Sequence, residues 1–318
     1  MKQFRIVFTM LLAAAFVLPA MASTAFADDG TAALDYIPKD YAFVVAIDVD
    51  GLKKTSIYSD VMKMLQADKD FQQGVKQFKD ATGFDVEKDL SSLVIAAPAD
   101  VEKSENFIFV AKGKVDEKKA IEFAKKEGAA ITDGKHEGQS YYVIDKEGGV
   151  AFMGGYVVVA PEAALKAAIE VNKGKKDSIK KSSDMSAMLK GVDTKQNIWM
   201  MVALPKSIRD EMSRENPLAA GVLNVYGSLG LSSGIDLKLV AGCDKDDTAK
   251  SLVDMANAGL SQAMAEPMVA QMGFDVALKK LSIKASGKDI KVGLSLTDAE
   301  FTKLKTTVEA LMGGAGGF

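Results

Sequence analysis

The feature that most constrains this chain is that parts of it repeat. Gly83 to Lys126 runs through a Gly-Phe-Asp-Val turn, a strand around Leu93 to Ala97, a strand from Phe107 to Val110 and an amphipathic helix opening at Asp116. The succession returns as Gly273-Phe274-Asp275-Val276, strands around Leu281 to Lys284 and Ile290 to Leu296, and a helix opening at Asp298. A second, ungapped match lays Leu34 to Asp50 over Leu189 to Pro205, setting the strand Phe43-Val44-Val45 against Ile198-Trp199-Met200. Paired strands followed by a helix predict an internally duplicated α+β fold. Its antiparallel sheet is built from strand-strand-helix units with helices on one face. Parallel winding fits less well, because it requires central strands that are apolar on both faces.

The repeats divide the chain into a first half over 28–172, a Lys-rich linker over 173–184, a second half over 185–312 and a Gly-rich tail over 313–318. Residues 1–27 have the form of a secretory signal: Lys2 and Arg5, an apolar run from Ile6 to Ala20, and the small-residue site Ala25-Phe26-Ala27. Cleavage after Ala27 predicts a periplasmic or secreted protein, soluble and with no transmembrane segment in the mature chain. Forty basic against 43 acidic side chains give a net charge of −3, which disfavours nucleic acid as a partner. The single cysteine, Cys243, excludes an intramolecular disulfide, so stability must come from packed apolar surface.

Within the first half, Tyr141-Tyr142-Val143-Ile144, Val150-Ala151-Phe152 and Tyr156-Val157-Val158-Val159 are separated by short glycine-bearing turns, the pattern of antiparallel hairpins. Pro161 then opens a helix whose inner stripe is Ala164, Leu165, Ala168 and Ile169. In the second half, Ile235, Leu237 and Leu239 alternate with Asp236 and Lys238, a strand with one face in a core and one in water. A stripe of Ala249, Leu252, Val253, Ala256 and Leu260 follows, and Thr297 and Glu300 have capping-box spacing. Phe43 to Val49, Ile198 to Leu204 and Tyr156 to Val159 are apolar on both sides and need cover twice. Packing of the two halves is the plainer source of that second cover, and a lipid-type groove is the other.

The sharpest chemical pattern is the strand ending in Asp48-Val49-Asp50-Gly51. It resembles the first motif of the haloacid dehalogenase-like phosphatases, and the resemblance implies Asp48 as nucleophile and Asp50 as general acid beside magnesium. Gly242-Cys243-Asp244 loosely resembles that family's acidic metal motif, with Cys243 where the family has aspartate. The duplicates of Asp48 and Asp50 are Ala203 and Pro205, so a turn-forming role serves equally well. Met264, Met268 and Met272 fall at a thioether spacing for Cu(I), but Pro267 interrupts their helix, and plastic core filling is the plainer role. The only histidine, His136, lies in a glycine-flanked turn with no nucleophile motif beside it and reads as solvated. Phe318, a terminal aromatic, follows glycines rather than a barrel strand.

The order Ile37-Pro38-Lys39-Asp40, Gly83-Phe84-Asp85-Val86, Glu137-Gly138 before Tyr141-Tyr142-Val143, and Tyr156-Val157-Val158-Val159 running into Pro161 resembles an uncharacterised family of secreted bacterial domains of unknown function. The resemblance implies an extracytoplasmic, duplicated α+β protein and carries over no catalytic, cofactor or metal residue. The expectation is a non-enzymatic binding or interaction protein whose partner is another protein or a small apolar ligand. The alternatives are the phosphatase using Asp48 and Asp50, and a periplasmic carrier of an apolar ligand.

Overall fold

The computed structural model describes residues 25–99, 106–267, 269 and 273–314. Most of the stretch read as a secretory signal, Met268, Met272 and Phe318 lie outside the described residues. The chain forms two compact units, dividing between Met201 and Val202. Twelve strands are described, and the fold is α+β with antiparallel ladders.

The first unit opens with α1 (Ala25–Ala33), β1 (Tyr41–Asp48), α2 (Val49–Leu52), α3 (Ser56–Ala67), α4 (Lys69–Thr82) and α5 (Val86–Asp89). It continues with β2 (Leu90–Pro98), β3 (Ile108–Gly113), α6 (Glu117–Lys126), β4 (Ile131–His136), β5 (Gln139–Ile144), β6 (Gly148–Met153) and β7 (Tyr156–Ala160). It ends with α7 (Glu162–Asn172), α8 (Ser183–Gly191) and the start of β8 (Ile198–Ala203). Its strands lie in the order β8-β1-β2-β3-β7-β6-β5-β4.

Register sorts the side chains of this sheet into two faces. On one, Ala46, Val94, Val110, Val158 and Ala151 are successive cross-strand neighbours, and none of them is accessible to water. α7 lies over this face with Leu165 against Gly149, where an added Cβ would come within 2.6 Å of the leucine. Leu165, Ala168 and Ile169 are all fully buried, the stripe that their spacing predicts. Tyr36 packs on the same face with its ring 5.3 Å from that of Tyr156.

The 173–184 stretch lies inside the first unit and is not an open linker. Ile179 is buried, its N–H donates to the Ile37 carbonyl at 2.8 Å, and Lys39 N–H donates to Asp177 at 3.1 Å. The lysines stay near the surface while one isoleucine anchors the segment, which is why composition alone pointed to a solvated tether.

The second unit contains α9 (Lys206–Glu215), β9 (Val222–Gly230), β10 (Ile235–Cys243), α10 (Asp246–Ala265), α11 (Asp275–Lys280), β11 (Ser282–Ser286), β12 (Asp289–Leu296) and α12 (Asp298–Gly314). Its strand order is β9-β10-β12-β11. Val222, Cys243, Ala249, Val253 and Ile290 form its core, while Asp236 and Lys238 pair across 2.9 Å on the water side of β10. The α10 stripe is buried only through Val253, and Ala256 and Met255 are exposed. At the start of α12, Thr297 N–H donates to Glu300 at 2.9 Å and Glu300 N–H donates back to the threonine hydroxyl at 3.3 Å, a closed capping box.

The repeated stretches share local geometry but not wiring. Gly83 and Gly273 both take positive φ, 76° and 70°, before a short helix and two paired strands. β2 is paired on both sides, by β1 and β3, whereas β11 is an edge strand beside β12.

Candidate functional site

The residues singled out for chemistry are held in structural roles. Asp48 is wholly buried and caps α2, accepting the Gly51 N–H at 2.6 Å. Asp50 takes Lys53 at 2.7 Å, and Lys53 also donates to the Leu90 carbonyl at 2.7 Å. β1 pairs antiparallel with β2, not with the parallel neighbour that the phosphatase motif uses. Asp244, in the second unit, accepts from the Thr248 hydroxyl at 2.8 Å, and burial pushes the Cys243 thiol pKa up. Met264 lies exposed on α10. Among the described residues no group of three or more His, Cys, Asp or Glu side chains is placed to hold a metal, and no helix is long and apolar enough to cross a membrane.

His136 is not a solvated turn residue. It closes β4, and its Nε2 lies 2.9 Å from Glu170 on α7, with Lys176 2.6 Å from the same carboxylate. Lys176 and then His136 hold the Glu170 carboxyl below its ordinary range. The cluster ties a hairpin end to a helix end and contains no nucleophile.

The distinctive surface is the other face of the first unit's sheet. Val45, Ile95, Phe109 and Val159 are successive cross-strand neighbours in mid-sheet, and all four remain partly exposed. Tyr142, opposite the buried Val150, extends the row. A mid-sheet aliphatic row normally has no access to water, as the opposite face shows. Here the row keeps some access to water.

Two contacts, joined by a cluster of aromatic rings, tie neighbouring segments to this face. Gly113 follows Phe109 and Ala111 on β3 at alternate positions, and an added Cβ there would meet the Phe84 ring at 3.0 Å. Phe78 of α4 packs edge-on against Phe84 and against Phe123 of α6, with ring centroids 6.1 and 5.5 Å apart. Tyr142 donates to Glu117, at the start of α6, across 2.7 Å, and that bond pushes its pKa up to about 12, so the phenol keeps its proton. Helices therefore reach both faces of this sheet. The one-sided cover predicted from the repeats is exceeded because β1, β2, β3 and β7 are apolar on both sides.

The result is an apolar row in mid-sheet that stays partly open to water, on the face where Phe84 packs over Gly113. The row offers no hydrogen-bonding group except the already bonded Tyr142 hydroxyl. Such a lining takes up hydrocarbon and rejects unpaired polar atoms. The two-sided apolarity of β1 and β7 was legible in the sequence. The contributions of Ile95 and Phe109, and the aromatic cluster of Phe78, Phe84 and Phe123, were not.

No protein-family model matches the chain, and no curated protein matches it. A solved structure titled crystal form III of TP0453 is similar to it with a TM-score of 0.48 at 9% sequence identity, over 86% of this chain and 97% of that chain.

Proposed function

We propose that this chain is an exported, non-enzymatic binding protein that holds a hydrocarbon ligand on the apolar row of its first unit. The observation that carries the reading is the mid-sheet row of Val45, Ile95, Phe109 and Val159, apolar throughout and partly exposed. Each methylene moved from water into such a lining contributes ~0.8 kcal/mol, so a slender chain gains affinity without any polar contact. Export is supported by the Lys2 to Ala27 pattern and by the resemblance to secreted bacterial domains.

The test is titration of an environment-sensitive hydrophobic dye into the full chain and into Ile95→Glu, with circular dichroism to show that the variant is folded. Saturable binding by the wild type and its loss in the variant are expected. No binding by the wild type, or equal binding by a folded Ile95→Glu, would overturn the reading.

A further inference from the structure

We infer that Asp29 clasps the start of the mature chain onto the end of the first unit's sheet, so that a signal peptidase reaches the Ala27–Asp28 bond only before that unit has folded, an inference that rests on the export reading above. The sealed face of the sheet turns polar at one end. Asp48, Ser92, Lys112 and Tyr156 are successive cross-strand neighbours there, two residues along their strands from Ala46, Val94, Val110 and Val158. Asp48 and Ser92 are nonetheless buried. α1 lies against β1 and β2 and sets the Asp29 carboxylate on Lys112 of this polar rung.

Asp29 is held twice. Its carboxylate takes the Lys112 ammonium, which also stands 5.6 Å over the Tyr156 ring, and its backbone carbonyl accepts the Tyr156 hydroxyl at 3.2 Å. Tyr156 is itself packed against the Tyr36 ring, and Gly30, Ala33 and Leu34, which follow Asp29, are buried. The Ala27–Asp28 bond lies within the same helix, and Asp29 is the second residue after it. A peptidase takes the residues around its bond as an extended strand, so in the folded chain α1 must unwind across Asp29 and give up both contacts first. Water then adds across the bond, leaving a carboxylate on Ala27 and an amine on Asp28. In the unfolded chain neither contact has to break. The cut chain keeps Asp29 one residue from its new end, where the clasp still closes over the rung.

The test is cleavage of the full chain, folded in detergent micelles, by a purified bacterial signal peptidase, beside a peptide of residues 15–35 that carries the same site. The peptide should be cut after Ala27, and the folded chain about tenfold more slowly, because its cleavage follows the population of the open form. Lys112→Met leaves the cut sequence untouched while removing the cation beside Asp29, and should close most of that gap. Tyr156→Phe, the milder change, should close part of it and serves if the methionine variant fails to fold, which the fluorescence of buried Trp199 reports. A folded wild type cut as fast as the peptide, or a folded variant as resistant as the wild type, would overturn the inference while leaving the export reading as it stands. A peptide that is not cut after Ala27 would remove the export reading and the clasp's role with it.

Discussion

Ile108 and Phe109 are adjacent on β3 and point to opposite faces, so truncating each to alanine compares the two sides of one sheet. Ile108 is 0% exposed on the sealed face, and Ile108→Ala should cost about 3 kcal/mol, the lost transfer energy plus an uncollapsed cavity. Phe109 is the larger side chain, yet it is already partly exposed, so Phe109→Ala should cost only about 1–2 kcal/mol. The chain has one tryptophan, Trp199, fully buried in the first unit, so its fluorescence in a urea titration reports that unit. With a slope of roughly 2 kcal/mol per molar urea, the midpoints of the two variants should differ by about 0.5–1 M, the Ile108 variant being the weaker. If Phe109→Ala proves as costly as Ile108→Ala at unchanged slope, the face is a packed core and the argument for an open row is wrong.

Gly83→Ala should lose about 1–2 kcal/mol in the same titration, because a Cβ is strained at φ 76°; an unchanged midpoint would show that the turn relaxes freely. Asp48→Ala should lose about 1–2 kcal/mol or more through the α2 cap, and Asp48→Asn should not alter magnesium-dependent release of phosphate from an aryl phosphate, because none is expected from the wild type. Lys280, then Thr297, holds the Glu300 carboxyl down to about 2 from its ordinary 4.5. A lowered folded value means that its contribution is whole above pH 4.5 and is lost as pH falls towards 2. Melting of Glu300→Gln followed by circular dichroism should depend less steeply on pH across that window, and identical profiles would refute the coupling. For Glu170→Gln the Trp199 midpoint should fall near neutral pH, and the difference should shrink as acid protonates the wild-type carboxylate.

How much of this could be read from the residues depended on whether the signal was local. The Leu165, Ala168 and Ile169 stripe, the Thr297 and Glu300 capping box and the alternating Ile235 to Lys238 strand all lie where spacing puts them, because each depends on neighbours within a few residues. β9 was missed. Its pattern is broken by Gly227, which the strand requires because a Cβ there would clash with Lys238 and Leu239 of the neighbouring strand. The hydrogen bond between His136 and Glu170 spans 34 positions and has no sequence signature. The repeats carried the local geometry of the glycine turns but not strand order, which depends on contacts far apart in sequence. The row was half legible. Two-sided apolar strands announced a second cover, but only register shows which side chains line up.

The most direct test of the central claim is what the protein carries. The full chain, purified from its native source without detergent, would be extracted with organic solvent and the extract examined by mass spectrometry beside a Phe109→Glu preparation. The open row predicts apolar chain-bearing molecules in stoichiometric amount from the wild type and their loss from the folded variant. An extract without such molecules, from wild-type protein that also binds no hydrophobic dye, would contradict it.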